Sequence, residues 1–298
     1  MITVRTVTEV RKHVRAARAQ GHTVALVPTM GAFHEGHLAL MRRAREHADL
    51  VVVWLFVNPS QFNEAADLAA YPRDEGRDAA LAAEEGVDVL FAPADGEVYP
   101  PGFKTQVNVT GLGDVLEGAH RPGHFTGVAT VVLKMLNMVQ PDVAVFGAKD
   151  AQQVAVVKRL VLDLDLPVRI EVVPIVREAD GLALSSRNVH LDPDERRRAT
   201  ALHRALEAAA SAADAGERDP VRLRAAAEAV LLEQDIEAEY VAVVDPDTFQ
   251  PVAEVDGHVL VALAARVGAT RLIDNITATS PETRFARQPA VLTTPKEA

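Results

Sequence analysis

Several features are missing from the 298-residue sequence, and each absence excludes a class of protein. The chain contains no cysteine, which excludes a disulfide framework, a thiol nucleophile and a thiolate metal site. No apolar run is long enough to span a membrane, since even residues 50–57 have only the length of a strand. Residues 1–5 also lack the apolar core of a signal peptide. We therefore expect a cytoplasmic protein.

Positive charge is also scarce. The sequence has 31 Lys and Arg residues against 42 Asp and Glu residues, for a formal net charge of −11. Non-specific binding to nucleic acids or to membranes requires a basic surface, so we expect neither partner. The motifs GxxxxGK[ST] and GxGxxG are absent as well, which disfavours the common kinase and dinucleotide modes of nucleotide binding.

Patterns typical of strands and helices alternate along the first part of the chain. The apolar runs predict buried strands at residues 23–27, 50–57, 87–91, 143–146 and 168–173. Helical patterns lie between them, and this alternation is typical of an α/β protein with a doubly wound parallel sheet. We therefore predict a Rossmann-like domain over residues 1–176.

The pattern changes after residue 176. Two alanine-rich helices are predicted at about residues 193–213 and 220–234, followed by short strands at 239–244, 259–264 and 271–274. We predict a smaller α+β domain over residues 177–298. In the first domain, Thr8 is predicted to cap a helix that runs to about Gln20, and residues 93–102 are predicted to form a loop.

Residues 28–37 form the most informative stretch, with the sequence PTMGAFHEGH. It follows a predicted strand and precedes a predicted helix, which is where ligands bind in open α/β sheets. His34 and His37 would project from the first helical turn, where unpaired N–H groups favour phosphate. A His-x-x-His pair is more often a solvated helix face. However, Gly36 costs the helix about 1 kcal/mol relative to alanine, which indicates a close approach of the backbone.

Metal binding by this pair is disfavoured, because the spacing is not HExxH and no third ligand lies nearby. Three further polar loops follow predicted strands, at residues 58–63, 147–153 and 176–187. A lone lysine such as Lys149 is more often simply solvated, but four such loops at one sheet edge would form a ligand site. The polar groups that they supply are His34, His37, Gln61, Lys149, Gln153, Ser185, Ser186 and Arg187. This set suits a triphosphate together with a small polar molecule.

The stretch PTMGAFHEGH resembles the HxGH signature of the nucleotidyltransferase and class I synthetase superfamily. Together with FVNPSQF, RPGHFTGV, FGAKDAQQ and READGLALSSRN, it closely resembles the pantoate–β-alanine ligase (pantothenate synthetase) family. The motifs occur in the family's order over residues 1 to about 195, and the resemblance continues more loosely to about residue 280.

The resemblance implies a two-step ligation that consumes ATP. Pantoate attacks the α-phosphorus of ATP to give pantoyl adenylate and pyrophosphate, and the amine of β-alanine then displaces AMP to give pantothenate. The implied catalytic residues are His34, His37, Lys149 and Arg187. The implied ATP-binding residues are Met30, Gly31, Ala32, Phe33, His34, Glu35, Gly36, His37, Gly147, Ala148, Lys149, Asp150, Val176, Leu184, Ser185, Ser186 and Arg187. Gln61 and Gln153 match the family's pantoate ligands.

Further expectations come from the same resemblance. His37 occupies the position of a proton donor in the family, although electrostatic stabilisation of the α-phosphate carries at least equal weight. Ser185, Ser186 and Arg187 would close over the triphosphate as the equivalent of the synthetase KMSKS loop. Mg²⁺ is expected on the pyrophosphate portion, held largely by phosphate oxygens and water, with no protein ligand assigned. A homodimer is expected from the family alone.

Some positions and alternatives stay open at this point. Arg121 and His124 fit a structural and a functional role equally well. Ala148 and Ala151 stand where the family often has a charged and an aromatic residue. An HxGH nucleotidyltransferase that keeps the nucleotide in its product is the main alternative, which the glutamine pair and the second domain disfavour. A catalytically inactive nucleotide sensor is disfavoured by the intact cationic residues.

Overall fold

The computed structural model describes residues 1–62, 68–69 and 71–280. The chain divides into two compact units, Met1–Arg196 and Arg197–Ala298, which are described separately. The first unit therefore extends beyond the boundary predicted at residue 176. The reason is a hairpin in which Arg177 pairs with Ala183. Arg196, at the end of the unit, forms an ion pair of 2.7 Å with Glu178 of this hairpin.

The first unit contains a six-stranded sheet in which all neighbouring strands run parallel. Its strands are β1 (Ile2–Val4), β2 (Val24–Thr29), β3 (Leu50–Leu55), β4 (Val89–Phe91), β5 (Val143–Gly147) and β6 (Arg169–Val173). The strand order is β1-β4-β3-β2-β5-β6. This topology confirms the predicted doubly wound α/β fold, although the short edge strand β1 was not predicted.

Helices connect these strands or follow the last of them. They are α1 (Val7–Arg18), α2 (Glu35–His47), α3 (Glu75–Glu84), α4 (Asp95–Val98), α5 (Glu117–His120), α6 (His124–Val139), α7 (Ala151–Asp163) and α8 (Pro193–Ala199), which crosses into the second unit. Short 3₁₀ turns occupy Pro59–Gln61, Ala148–Asp150 and Ser186–His190. None of the helices in the described ranges is long and apolar enough to cross a membrane.

Two local predictions were wrong. Helix α1 is capped by Thr6 and not by Thr8, because Thr6 and Glu9 form a capping box in which each side chain accepts the other's backbone N–H. The segment 93–102, predicted to be a loop, contains the short helix α4, which begins with acidic Asp95. Acidic side chains in a first turn stabilise the positive end of a helix.

The core of the first unit lies around β2 and β3. Val24–Val27 in β2 and Val52–Val53 in β3 are fully buried, as expected for strands covered on both faces. Strand β2 pairs with β3 on one side and with β5 on the other. The connections after β2 and β5 therefore leave the sheet at the point where the strand order reverses, which is the usual ligand crevice of such folds.

The second unit contains an antiparallel sheet of β7 (Ala238–Val244), β8 (His258–Val267) and β9 (Thr270–Thr279), in that order. Helices α9 (Ala201–Asp214) and α10 (Pro220–Leu232) complete the predicted α+β unit. The first predicted helix, residues 193–213, is interrupted at Thr200 and forms α8 and α9 instead. The Thr200 hydroxyl donates to the Arg197 carbonyl at 2.8 Å, a side-chain bond that competes with helical pairing.

Candidate active site

A cleft of about 250 Å³ opens at the carboxyl edge of the parallel sheet, lined by the segments that follow β2, β3, β5 and β6. The sequence prediction that four polar loops meet at one edge agrees with this geometry. The predicted site residues that line the cleft are Met30, His34, Gly36, His37, Gln61, Gly147, Ala148, Lys149, Asp150, Gln153, Val176, Leu184, Ser185, Ser186 and Arg187.

Four predicted ATP-binding residues do not line the cleft: Gly31, Ala32, Phe33 and Glu35. Phe33 is a core residue with 1% exposure. Glu35 points to the surface of α2 and forms an ion pair with Arg42. These residues belong to the segment that carries the histidines, but they do not contribute to the lining of the cleft.

Asp78 of α3 holds this loop. It is 1% exposed, and its two carboxylate oxygens accept the backbone N–H groups of Ala32 and Phe33, each at 2.8 Å. The backbone at these two hydrogen bonds is constrained. Ala32 has a left-handed φ of 54°, and a Cβ added to Gly31 would lie 2.9 Å from Asp78 Oδ2. Asp78 therefore supports the loop and does not line the cleft. No sequence pattern singles out this role, because the partners of Asp78 are backbone groups.

His34 and His37 stand side by side at the start of α2, with ring centroids 4.2 Å apart. His34 Nδ1 accepts the Gly36 N–H at 3.2 Å, and His37 Nδ1 accepts the His34 N–H at 3.3 Å. Each neutral ring must therefore carry its proton on Nε2. A Cβ at position 36 would lie 2.9 Å from the His34 ring. The group that approaches the backbone of Gly36 closely, as the glycine predicted, is therefore the His34 ring.

Both rings are neutral near pH 7. Burial, then the charges of His34 and Lys149, lowers the pKa of His37 to about 3. Burial, then the charges of Lys149 and Arg77, lowers the pKa of His34 below its usual range. Desolvation penalises the imidazolium, and neighbouring cations add to that penalty. The two Nε2–H groups are thus neutral hydrogen-bond donors.

The charge in the cleft favours an anion. Lys149, Arg187 and Arg121 line it, and Asp150 is the single acidic residue among its described lining residues. No group of three or more His, Asp or Glu residues in the described part of the chain could hold a metal ion by itself. A cationic cleft at the end of a sheet suits a polyphosphate, and a divalent ion there would be held largely by phosphate oxygens and water.

The two neighbouring glutamines of α7 have different environments. Gln152 is 4% exposed, and its amide nitrogen donates to the carbonyls of Leu112 and Val115, each at 2.8 Å. Its oxygen accepts the N–H of Glu117 at 3.1 Å. Gln152 is therefore fully used in holding the segment before α5, while Gln153 lines the cleft.

Sequence reasoning missed the apolar wall of the cleft. Val128, Val131, Val132 and Met135 line it from α6, and each is at most 5% exposed. They recur at helical spacing, which from sequence alone is typical of core packing. Tyr71 also lines the cleft, and its hydroxyl hydrogen-bonds Ser186 while burial raises the pKa of this phenol.

The segment with the serines is a compact turn. Ser185 Oγ accepts the N–H of Arg187 at 3.2 Å, which caps the 3₁₀ turn Ser186–His190. The Asn188 side chain donates to the Ala183 carbonyl at 3.1 Å, which anchors the turn to the preceding hairpin. The hairpin in turn brings Leu184 back to Val176, with a backbone bond of 3.0 Å. Residues 185–187, which are predicted to close over the triphosphate, are thus held within the first unit and do not belong to a domain that begins at residue 177.

A doubly wound parallel sheet with a cationic, histidine-bearing cleft at its strand crossover is typical of α/β enzymes that bind nucleotides. The family model described as Pantoate-beta-alanine ligase matches residues 2–277. The chain belongs to this family and is a ligase that forms an amide bond, as the resemblance predicted.

The chain matches its curated relatives over nearly their whole length. The chain is 53% identical to pantothenate synthetase from Moorella thermoacetica over 274 residues, which cover 92% of this chain and 97% of that protein. The crystal structure of pantothenate synthetase from Thermus thermophilus is 47% identical, with a TM-score of 0.88 and coverage of 93% and 99%. The pantoate–β-alanine ligase from Francisella tularensis, complexed with Beta-gamma ATP and Beta-alanine, is 32% identical, with a TM-score of 0.77 and coverage of 93% and 97%.

Proposed function

We propose that this cleft joins pantoate to β-alanine in two ATP-dependent steps. In the first step, a pantoate carboxylate oxygen attacks the α-phosphorus, and the bond to the bridging oxygen of pyrophosphate breaks. In the second step, the β-alanine amine attacks the acyl carbon, loses a proton and displaces AMP. The observation that carries the proposal is the placement of both histidine Nε2–H donors and both predicted pantoate-binding glutamines in one cleft.

The phosphate side of the proposal uses His34, His37, Lys149 and Arg187. In the first step negative charge moves onto the phosphoryl and pyrophosphate oxygens, and such transition states need charge placement more than proton transfer. The two neutral Nε2–H groups would donate to the α-phosphate region, and the cations would neutralise the triphosphate. Ser185 and Ser186 would add hydroxyl donors from the capped turn. The low pKa of His37 favours this donor role over that of an acid.

The pantoate side of the proposal uses Gln61, Gln153 and the α6 wall. The side-chain amides would bind the hydroxyl and carboxylate groups without adding a charge that would hold the carboxylate back from phosphorus. The valines and Met135 of α6 would contact the two methyl groups of pantoate. An apolar wall with a few convergent polar groups is the usual composition of a small-molecule site.

Three further proposals rest on the family resemblance. Mg²⁺ would accompany ATP and neutralise phosphate charge, and Asp150 is the lining carboxylate that could assist phosphate oxygens and water in holding it. The enzyme would be a homodimer, which light scattering can test. It would act in the cytoplasm, which fractionation of cells expressing the chain can test.

The experiment that tests the ligation is pyrophosphate exchange into ATP. Exchange is expected only when pantoate is present, because the adenylate must form before pyrophosphate can return. Addition of β-alanine is then expected to release AMP and stop the exchange. Exchange without pantoate, or a product that keeps the nucleotide after β-alanine is added, would instead support the nucleotidyltransferase alternative.

A further inference from the structure

The backbone carbonyl of Gln61 is held by two side chains, one from the connection between α5 and α6 and one from the first residue of α6. His124 Nδ1 lies 2.9 Å from Gln61 O, and Arg121 Nη2 donates to the same oxygen at 3.1 Å. Arg121 Nη1 also lies 3.3 Å from His124 Nε2. His124 is only 8% exposed, so water competes little for these bonds.

These contacts define the protonation of His124. A carbonyl oxygen can only accept, so Nδ1 must carry the proton. A guanidinium can only donate, so Nε2 must be the acceptor for Arg121. The ring is therefore neutral, which agrees with its low pKa of about 4, caused first by burial and then by the charge of Arg121. The result is a directed chain of donors from Arg121 through His124 to the Gln61 carbonyl.

The side chain of Gln61 is oriented from the opposite end. Asn58 Nδ2 donates to Gln61 Oε1 at 3.1 Å, and Asn58 is itself 2% exposed. With its oxygen occupied, Gln61 turns its amide nitrogen toward the cleft, where it lies 2.9 Å from Met30 Sδ. A thioether is a weak acceptor, so a substrate oxygen can take its place. Gln61 thus presents N–H donors to the cleft.

Gly127 lets the Gln61 segment lie directly on α6. A Cβ at this position would be 2.3 Å from the Ser60 carbonyl oxygen and 3.0 Å from Gln61 N. Atoms this close must move, so any side chain here would displace the peptide that joins Ser60 to Gln61. Asn58 Nδ2 also donates to the Gly127 carbonyl at 3.3 Å, which ties the same segment to the helix.

We infer that His124 is a positioning residue for pantoate binding: its Nδ1–H fixes the Gln61 backbone, so that the Gln61 amide meets the substrate in one orientation. Gly127 serves the same purpose by giving that backbone room. The inference rests on the proposed role of Gln61 as a pantoate ligand. It also assigns a purpose to the RPGHFTGV motif, which the sequence left undecided between structure and function.

Substitution of His124 by each of the two amide residues distinguishes the contributions of its two ring nitrogens. Asn in place of His puts an N–H donor near the Nδ1 position, whereas Gln puts its amide near the Nε2 position. His124→Gln is expected to raise the KM for pantoate about tenfold, the effect of one lost hydrogen bond, and to leave the KM for ATP within about twofold. His124→Asn is expected to restore the pantoate KM to within about threefold of the wild type. Equal values for the two variants would overturn the inference.

A double-mutant cycle with Gln61→Ala tests whether His124 acts through Gln61. Gln61→Ala is expected to raise the pantoate KM, and adding His124→Gln is expected to raise it no further. A full tenfold effect of His124→Gln in the Gln61→Ala background would overturn the inference while leaving the proposed role of Gln61 intact. No effect of Gln61→Ala on the pantoate KM would overturn that role, and the inference with it.

Gly127→Ala gives an independent measurement if the His124 variants fold poorly. It moves the Ser60–Gln61 peptide without removing any polar group, and it is expected to raise the pantoate KM more than the ATP KM. Circular dichroism at the assay temperature verifies the fold of each variant. Equal increases in the two KM values for a folded Gly127→Ala enzyme would show a general disturbance of the cleft and would contradict the proposed positioning.

Discussion

Removal of the Asp78 carboxylate tests how strongly the histidine loop depends on a side chain outside the cleft. Asp78 accepts two buried backbone N–H groups at 2.8 Å, and it holds Ala32 in a left-handed conformation that costs a non-glycine residue about 1–2 kcal/mol. The loop leads directly to His34, whose side chain caps α2. Releasing the loop should therefore displace both histidine rings while leaving the sheet intact.

The magnitude follows from the two bonds. Asp78→Asn has nearly the same shape, but its NH₂ group would face one of the two N–H donors. One charge-assisted bond is lost and one buried N–H is left unpaired, which together cost about 2–4 kcal/mol of unfolding free energy. A displacement of about 1 Å at catalytic groups can slow a reaction by about 100-fold. We expect pantoate-dependent pyrophosphate exchange to fall by about that factor.

The matched control is Asp74→Ala in the same helix. Asp74 caps α3 by accepting the Arg77 N–H at 3.0 Å, and losing such a cap costs about 1 kcal/mol without touching the histidine loop. Urea unfolding gives the stability of each variant, and exchange is measured where both are folded. If Asp78→Asn slows exchange no more than Asp74→Ala does, the loop does not depend on this carboxylate and the reasoning is wrong.

Three further predictions concern single side chains. His37→Ala should slow adenylate formation by about 10²–10³-fold with the fold retained. His37→Gln keeps an N–H donor near the Nε2 position and should retain more activity than His37→Asn. The reverse order in single-turnover assays would refute the role of the neutral Nε2–H group as a hydrogen-bond donor. Gln153→Ala should raise the pantoate KM, whereas Gln152→Ala should lower the unfolding midpoint and leave the pantoate KM unchanged. A change in KM for both variants would contradict the assignment of a binding role to Gln153 and a structural role to Gln152. The pKa of His124 is about 4 in the folded protein and about 6.5 when unfolded. Between these two values the unfolded state binds a proton that the folded state does not, so lowering the pH favours unfolding. The contribution of neutral His124 to stability is therefore complete above pH 6.5 and falls by up to about 1.4 kcal/mol per pH unit as the pH drops toward 4. Urea titrations should show a smaller loss over that range for His124→Asn than for the wild type, and an equal loss in the two proteins would contradict this origin of the pH dependence.

The sequence predicted the sheet well because its strands carry an unambiguous signal. Residues 50–57 form a continuous apolar run, which a strand buried on both faces requires. The loops at the ends of β2, β3, β5 and β6 could therefore be placed at one edge from the sequence alone. The short strand β1 was missed, because Ile2–Val4 has three residues and gives no periodic pattern.

The roles of Asp78 and His124 could not be predicted in this way. Their partners are backbone groups far away in the sequence: Asp78 binds Ala32 and Phe33, and His124 binds the Gln61 carbonyl. A backbone group has no sequence signature, so a side chain that binds one looks like any other polar residue. The family resemblance predicted Gln153 as a pantoate ligand and made no statement about Gln152. Adjacent positions on a helix face different directions, and the sequence alone does not show which of the two is buried.

The neutral state of His34 and His37 bears on how the cleft can catalyse adenylation. Burial lowers the pKa of both rings, and Lys149, the cation that would attract the triphosphate, lowers it further. A bound polyanion would offset the contribution of Lys149 but not the desolvation, which is the larger cause. Pyrophosphate is also a weak base and can leave without a proton. Fixed Nε2–H donors, held by backbone bonds at Nδ1, therefore supply what this step needs: stabilisation of developing charge with no proton transfer and little reorganisation.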